Sequence, residues 1–245
     1  MPRFYVPDPQ IEKDLLKIRG NEARHILRVL RLKLGDEIMV FDGLGNEFEG
    51  TIVEEASQSV VVKVKNIFSS KRESPIEITM AQSLLKGEKM DTLIQKATEL
   101  GVNKIIPFVS SRSIPLLEKQ GQLIRHHRWE RIAIESSKQC GRGVIPRIEF
   151  LRSYSEMLQM VPSNSLRLIL WERKGVKLKE VLEQSKRKPE IFFIVGPEGG
   201  FNEREIEESQ RAGFITVHLG KRVLRAETAS LCFLCILQYD LGDIG

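Results

Sequence analysis

The periodicity of the sequence changes near residue 70, and this change most restricts the folds open to the chain. Before it, apolar and polar residues alternate over three short segments, and period-two alternation predicts half-buried strands. The glycines at 43 and 45 supply a turn between the first two segments. Short antiparallel strands without an intervening helix indicate a small sheet or barrel. The three predicted strands are Glu37–Phe41, Glu47–Glu54 and Ser59–Ile67.

After residue 75, strand and helix patterns alternate. Glu88–Leu100 carries one apolar stripe, and Glu203–Ala212 follows a capping pair, Asn202 and Glu205. The polar segment Ser69–Ser74 is the best linker candidate. The alternation predicts a parallel α/β sheet with its site at the carboxyl ends of the strands. The predicted strands are Ile76–Gln82, Lys104–Val109, Leu166–Trp171, Ile191–Val195 and Ile215–Leu219.

The last predicted helix, Thr228–Leu241, is apolar on all sides. A surface helix shows a single apolar stripe. This helix is therefore either a central core helix or packs against a second subunit, and the sequence does not favour one over the other. Cys232 and Cys235 form a CxxC pair, but no second pair stands at zinc spacing. We therefore expect buried thiols and no metal site.

The net charge of +5 is unevenly distributed. Residues 1–35 hold eight Lys/Arg against four Asp/Glu, and residues 125–147 hold six against two. Two basic segments indicate a polyanionic partner, although solvated helix faces explain charge alone equally well. The N-terminus lacks an apolar signal segment and no apolar run could span a bilayer, so we expect a cytoplasmic protein without a membrane partner.

Three strand ends carry residues suited to a ligand. The buried strand before Gly196–Gly200 ends in a glycine-rich loop followed by a capped helix, an arrangement that lets backbone approach a ligand. Leu219–Ala229 follows the next strand, and Glu172 ends an earlier one. A tight turn and a helix cap are the structural alternatives. Because all three follow parallel strands, we expect them to surround one pocket.

Arginines dominate two further segments. On a helix, Arg24, Arg28 and Arg31 would form one outward stripe suited to phosphates, with Arg3 as a possible addition; an ordinary solvated face is the alternative. Residues 128–142 have a basic side that would contact substrate. The alternative is a core helix whose long cationic side chains reach out to solvent. The candidate RNA-binding residues are Arg3, Arg24, His25, Arg28, Arg31, Arg128 and Arg142.

Six motifs together resemble the bacterial 16S ribosomal RNA uracil-N3 methyltransferase family, a family of the SPOUT superfamily. GPEGGF at 196–201 followed by LGKRVLRAETA at 219–229 is the most specific part. The resemblance covers nearly the whole chain, in order. The other motifs are MPRFYV at the start, HILRVLRLKLGDE at 25–37, KMDTLIQKATELGV at 89–102 and QCGR at 139–142.

The resemblance implies an α/β knotted SPOUT methyltransferase domain, with a trefoil knot and a parallel sheet, at residues 71–245. A small PUA-like β-barrel that binds RNA would occupy residues 1–70. The chain would be a homodimer that uses S-adenosylmethionine to methylate N3 of a uridine, of the type at position 1498, in 16S ribosomal RNA or the 30S subunit. A non-catalytic ribosome-assembly factor with an inherited pocket is the alternative. A nucleotide-binding regulator is disfavoured because a P-loop lysine is absent.

The chemistry of methyl transfer to N3, which carries a proton at neutral pH, suggests roles for individual residues. Arg225 would stabilise the uridine anion, and Glu198 or Glu227 would remove the N3 proton. Trp171 would keep a ring contact where the family has tyrosine. The expected S-adenosylmethionine-binding residues are Leu170, Glu172, Val195, Gly196, Pro197, Gly199, Gly200, Leu219, Gly220, Val223, Leu224, Arg225, Thr228 and Ala229.

Overall fold

A computed structural model describes residues 1–113, 118–185 and 190–245. The chain divides into two compact units. Unit 1 comprises Met1–Glu73 and Ile134–Ile145, and unit 2 comprises Ser74–Ala133 and Pro146–Gly245. Each unit contains its own sheet.

Unit 1 is built on a six-stranded sheet in the order β1-β4-β5-β6-β3-β2. Neighbouring strands are antiparallel except for β1 and β4, which are parallel. Strand β4 matches its predicted bounds to the residue, whereas the three strands before it were not predicted. The strands are β1 (Arg3–Tyr5), β2 (Ile11–Glu12), β3 (Leu15–Arg19), β4 (Glu37–Phe41), β5 (Asn46–Ala56) and β6 (Ser59–Ser69).

One face of this sheet carries the apolar core of unit 1. Alternate residues of β3 and β6 are buried, because successive side chains of a strand point to opposite faces. Phe4 and the buried residues of the following short helix pack onto the same cluster. The core therefore follows the period-two pattern of the sequence. Its fully buried members include Phe4, Leu16, Ile18, Ala23, Ile26, Ile38, Val40 and Val60.

The basic segment of unit 1 is not one regular helix. Helix α1 (Gly20–Arg24) continues into a π-helical turn, His25–Val29. Arg31 lies beyond this turn in the left-handed region, with φ 55°. The predicted stripe of Arg24, Arg28 and Arg31 at α-helical spacing is therefore wrong, because the π turn alters the rotation per residue and the helix ends before Arg31.

Unit 2 contains a wholly parallel sheet with the order β10-β8-β7-β13-β11-β14-β12, and β9 pairs with β8. The predicted parallel α/β sheet is confirmed. Its strands are β7 (Glu77–Ser83), β8 (Lys104–Val109), β9 (Arg147–Ile148), β10 (Arg152–Ser153), β11 (Leu166–Leu170), β12 (Val176–Lys177), β13 (Glu190–Val195) and β14 (Ile215–His218).

Helices alternate with these strands along the chain. The buried residues of α2 form the expected stripe, including Met90, Leu93 and Ala97. Asn202 and Glu205 form the expected capping box at the start of α6. The helices are α2 (Lys89–Glu99), α3 (Lys119–Cys140), α4 (Tyr154–Gln159), α5 (Leu178–Ser185), α6 (Glu203–Arg211) and α7 (Ala226–Leu241).

The central strands of this sheet are buried on both faces. All of Ile191–Val195 is buried, and so is most of β7 and β11. A parallel sheet covered on both sides reads as a continuous apolar run rather than an alternating one. This is why the sequence shows unbroken apolar stretches at these strands.

Helix α7 is buried on one side only. Phe233, Leu234 and Leu237 are fully buried, whereas Ile236 and Tyr239 are 39% and 73% exposed. Cys232 and Cys235 are also exposed, so the prediction of buried thiols is wrong. These four exposed residues share one face of the helix, which the described residues leave open to solvent.

Within the described part of the chain, no helix combines the length and apolarity that a membrane crossing requires.

Candidate functional site

Three neighbouring strands of unit 2 end at one edge of the sheet and surround a cavity. Strands β13, β11 and β14 are adjacent and parallel, so the loops that follow them lie side by side. The cavity has a volume of about 420 Å³. Cavities of this size at the carboxyl ends of parallel strands bind small molecules and cofactors. The residues predicted from the three strand ends therefore line one cavity.

The glycine-rich loop is a tight turn that closes on a carboxylate. The Gly200 N–H donates to the Pro197 carbonyl at 3.0 Å, and Gly200 has a φ of +67°. A Cβ at this position would also lie 3.2 Å from Glu172 Oε1. At Gly196, a Cβ would lie 3.1 Å from the buried ring of Phe201. Glycine at these two positions allows the backbone to form the cavity wall.

A buried glutamine holds the glycine loop onto the sheet. Gln82 Nε2 donates to the Gly196 carbonyl at 3.3 Å and to the Ser83 carbonyl at 3.0 Å. Its Oε1 accepts a hydrogen bond from Ser230 Oγ in α7. Gln82 is fully buried, so each of these bonds replaces one to water. One side chain thus connects β7, the glycine loop and α7.

A lysine joins two carboxylates beside the cavity. Lys89 Nζ lies 3.2 Å from Glu198 Oε1 and 3.2 Å from Glu227 Oε1. The backbone N–H of Lys86 also donates to Glu198 Oε1 at 3.1 Å. Lys89 and Glu198 line the cavity, whereas Glu227 does not. The two candidate bases are therefore distinguished by their access to the cavity.

This ion cluster shifts the pKa of two of its members. Burial raises the pKa of Glu198, but hydrogen bonds from backbone N–H groups and from Lys89 outweigh burial, so its pKa lies below the ordinary value. The pKa of Lys89 is raised, chiefly by its hydrogen bond with Glu227 and then by that with Glu198. Glu198 is a carboxylate and Lys89 an ammonium at neutral pH.

Arg225 lies at the mouth of the same cavity. It is the N-cap residue of α7, and its carbonyl accepts from the Ala229 N–H at 2.8 Å. The side chain is exposed, and no carboxylate of the described residues pairs with its guanidinium. A cavity-lining guanidinium without a carboxylate partner can interact with an anionic ligand.

Trp171 gives the cavity an unsatisfied hydrogen-bond donor. It lines the cavity, and its indole Nε1 is buried without an acceptor in the part of the chain that the structure describes. A buried N–H without a partner is costly, and a bound ligand can supply the acceptor. Together with the apolar wall and the glycine turn, this suits a ligand with a flat polar ring system.

Nearly all of the predicted cofactor-binding residues line this cavity; Thr228 does not. Arg225 and Glu198 also line it, whereas Glu227 contacts it only through Lys89. Lys89 was not predicted. Its signal in the sequence is weak, because a lysine at the first turn of α2 resembles any solvated charge.

The predicted RNA contacts in the first segment differ in accessibility. Arg24, Arg28 and Arg31 are exposed and form no ion pair with a described carboxylate, and His25 is half-buried against the Phe4 ring. Arg3 is largely buried, bound to Glu47 at 2.9 Å and to the Arg142 carbonyl at 3.1 Å. The first three side chains are available to a polyanion.

The two predicted contacts in the second basic segment are both engaged in ion pairs. Arg142 is 4% exposed, and its Nη2 lies 2.8 Å from Glu73 Oε2. Arg128 is about half exposed and pairs with Asp91. Because Arg142 is buried inside unit 1, its guanidinium stabilises that unit and is not presented to solvent.

Comparison with known proteins assigns both parts of the chain. A family model described as an RNA methyltransferase domain matches residues 72–238, and one described as an RNA methyltransferase PUA domain matches residues 18–65. The Bacillus subtilis ribosomal RNA small subunit methyltransferase E is 30% identical over 98% of this chain and 97% of its own length.

Two solved structures are similar over almost the whole chain. The Neisseria gonorrhoeae ribosomal RNA small subunit methyltransferase E, bound to S-adenosyl methionine, is 35% identical with a TM-score of 0.90, and each chain is covered fully. A putative methyltransferase from Legionella pneumophila, in complex with the same cofactor, is 32% identical with a TM-score of 0.89 over 99% of this chain and 98% of its own.

The fold and the cavity thus define an RNA methyltransferase of the SPOUT class with a PUA-like N-terminal domain. Within that class, the chain belongs to the ribosomal RNA small subunit methyltransferase E family.

Proposed function

We propose that this protein uses S-adenosylmethionine to methylate N3 of a uridine in 16S ribosomal RNA. The observation that carries the proposal is the convergence of three strand-end loops on one cavity of about 420 Å³, in a chain about one third identical to proteins crystallised with that cofactor. Because the substrate is ribosomal RNA, we place the activity in the cytoplasm.

The cavity residues fit the cofactor by their chemistry. The apolar wall formed by Leu170, Val195 and Leu224 accommodates adenine, and the Trp171 N–H and the loop backbone offer hydrogen bonds. The Glu172 carboxylate is an acceptor for ribose hydroxyls. When bound, the cofactor supplies an electrophilic methyl group on a sulfonium.

The chain's own residues prepare the nucleophile. N3 of uridine carries a proton at neutral pH, so that proton must be removed before N3 can attack. Glu198 is the better-placed base, because it lines the cavity and is held as a carboxylate. The Arg225 guanidinium stabilises the negative charge that develops on the uracil ring as its N3 proton leaves. Lys89 orients Glu198 by a direct hydrogen bond.

The choice between the two carboxylates has a matched test. Glu198→Gln and Glu227→Gln each remove one charge next to Lys89, but only Glu198 lines the cavity. We expect Glu198→Gln to lower the single-turnover methylation rate on 30S subunits by about a hundredfold or more, with Glu227→Gln much less affected. Equal rates for the two variants would rule out Glu198 as the base.

The class of enzyme is tested by two measurements. Calorimetry should show that S-adenosylmethionine binds the protein and ATP does not, and mass mapping should find 3-methyluridine in treated 16S RNA. Arg225→Ala should slow the reaction by orders of magnitude with the fold intact. A protein that binds the cofactor but leaves every nucleoside unmodified would instead be a non-catalytic assembly factor.

We further propose that the protein is a homodimer in which the exposed face of α7 is covered by the second copy. Ile236 and Tyr239 are exposed on an otherwise core-forming helix, next to the exposed thiols of Cys232 and Cys235. An exposed contiguous apolar face on a soluble protein commonly marks an interface. We also propose that unit 2 contains the trefoil knot that the family resemblance implies.

A further inference from the structure

We propose that His126, His127 and Glu130, in helix α3, form a binding site for a divalent transition-metal ion such as Zn²⁺. These three residues lie in unit 2 and do not line the cofactor cavity. One ligand atom from each lies within 4.8 Å of the others. Imidazole nitrogen and carboxylate oxygen are the ligands that Zn²⁺ and its neighbours prefer.

The spacing of the three residues on the helix brings the ligand atoms together. Residues three and four positions apart are neighbours on a helix surface. Glu130 is therefore next to both His127 and His126. The expectation of no metal site rested on the spacing of Cys232 and Cys235 alone, and His126 and His127 played no part in it.

Two of the three separations between the ligand atoms match those around a tetrahedral ion. Zn–N and Zn–O bonds of about 2.0 Å place neighbouring tetrahedral ligands about 3.3 Å apart. Glu130 Oε2 lies 3.5 Å from His126 Nδ1 and 3.2 Å from His127 Nδ1. The remaining pair, the two imidazole nitrogens, lies within 4.8 Å.

His126 is held with its free nitrogen facing this cluster. Its Nε2 lies 3.0 Å from the Ile148 carbonyl, which is an acceptor, so Nε2 carries the proton. The Phe150 ring stacks on the imidazole at 3.9 Å between centroids and an interplanar angle of 11°. In metal-binding histidines the second ring N–H commonly donates a hydrogen bond to a carbonyl in this way. This hydrogen bond fixes the tautomer and the ring orientation.

The nitrogen that faces Glu130 has no hydrogen-bond partner. His126 is 5% exposed, and its Nδ1 is buried without a donor among the residues that the structure describes. A lone pair on Nδ1 and a carboxylate oxygen 3.5 Å away repel each other unless a cation lies between them. One proton could join Glu130 Oε2 to one imidazole, whereas a divalent ion would satisfy both imidazoles and the carboxylate at once.

Three protein ligands leave one tetrahedral position for water or another ligand. Arg128, on the same stretch of helix, pairs with Asp91 rather than with Glu130. The Trp129 indole also donates to Asp91, at 3.0 Å, which anchors this turn of α3.

The test uses the full chain after chelator treatment, with Cys232 and Cys235 changed to serine because exposed thiolates bind zinc themselves. Zn²⁺ is titrated by calorimetry and Co²⁺ by its visible absorption. We expect one saturable site per chain, and Glu130→Gln or His127→Ala should weaken it by at least about tenfold. Both side chains are substantially exposed, at 45% and 66%, so these variants should fold.

The matched control is Glu135→Gln, which removes an exposed carboxylate from the same helix where it pairs with Lys138 at 3.2 Å. This variant should bind both metals as the parent does. The proposal is overturned if the parent shows no saturable site, or if Glu130→Gln and Glu135→Gln bind zinc equally well. Since methylation is not measured, failure here leaves the proposed function untouched.

Discussion

The ammonium group of Lys89 lies 3.2 Å from a carboxylate oxygen of Glu198, although 109 positions separate the two residues in the chain. The contact joins the first turn of α2 to the glycine loop after β13. Both residues line the cavity between the strand ends. The position and charge of the proposed base therefore depend on a lysine from helix α2.

Replacing Lys89 by methionine should move the acid limb of the pH–rate profile to higher pH. Lys89 lowers the pKa of Glu198, whereas burial raises it, so without the lysine the carboxyl titrates at higher pH. Activity that needs the carboxylate is then lost earlier on acidification. The measurement is kcat/KM against pH on 30S subunits.

Lys96→Met is the control for this variant. Lys96 lies in the same helix and pairs with Glu99 at 2.9 Å, away from the cavity. Its profile should coincide with that of the parent. An acid limb of Lys89→Met that stays in place would show that Glu198 does not control the reaction.

Gly200→Ala should weaken S-adenosylmethionine binding about tenfold. The position has a φ of +67°. A residue with a Cβ adopts this left-handed conformation at a cost of about 1–2 kcal/mol in free energy. The new Cβ would also press on Glu172, 3.2 Å away. The dissociation constant is measured by calorimetry. Gly87→Ala is the control for backbone strain, because Gly87 has a similar φ of +62° but open space around it. Equal losses of cofactor affinity in the two variants would contradict a role for Gly200 in the cavity wall.

Arg28→Ser should weaken binding to 16S RNA and reduce its dependence on salt. Each phosphate contact contributes about 0.7–0.9 to the slope of log K against log salt concentration. Lys65→Ser is the matched control, since Lys65 is exposed on the same unit but paired with Glu37 at 2.7 Å. Filter binding over a range of salt concentrations gives the slopes. If both variants gave the same slope of log K against log salt concentration, Arg28 would not contact the RNA.

Tyr239→Glu should convert the proposed dimer to monomers. It places a charge in the exposed apolar face of α7, where a second copy would have to bury it. Sedimentation equilibrium measures the mass, and Ile67→Asp, a change at another exposed apolar side chain, should leave it unaltered. A parent protein that sediments as a monomer, or a variant with an unchanged mass, would refute the dimer.

The sequence predicted strands in both sheets, although the strictly alternating strand Leu15–Arg19 was missed. Glu37–Phe41 and Lys104–Val109 were predicted to the residue, because each contains a short run of apolar residues. The capping box at Asn202 likewise depends on neighbours only three residues apart. The short strands Arg3–Tyr5 and Ile11–Glu12 were missed, since two or three residues show no period.

What the sequence did not predict depends on tertiary folding. The π turn at His25–Val29 is a feature of backbone hydrogen bonds and leaves no composition signal. Lys89 contacts Glu198 only because α2 and the glycine loop meet at one sheet edge. Arg142 was predicted to bind RNA, but the Glu73 carboxylate makes its burial possible. The exposed side of α7 carries apolar residues, so the sequence could not distinguish it from the buried side.

The cavity walls come from residues 170–172, 195–201, 217–220, 222–226 and 229, with Lys89 from much earlier in the chain. During translation, the wall that contains Arg225 leaves the ribosome after all the others. A nascent polypeptide interrupted before that point would lack one wall of the cavity. An enzyme that modifies ribosomes would thus stay inactive until its own synthesis had passed the last of these loops.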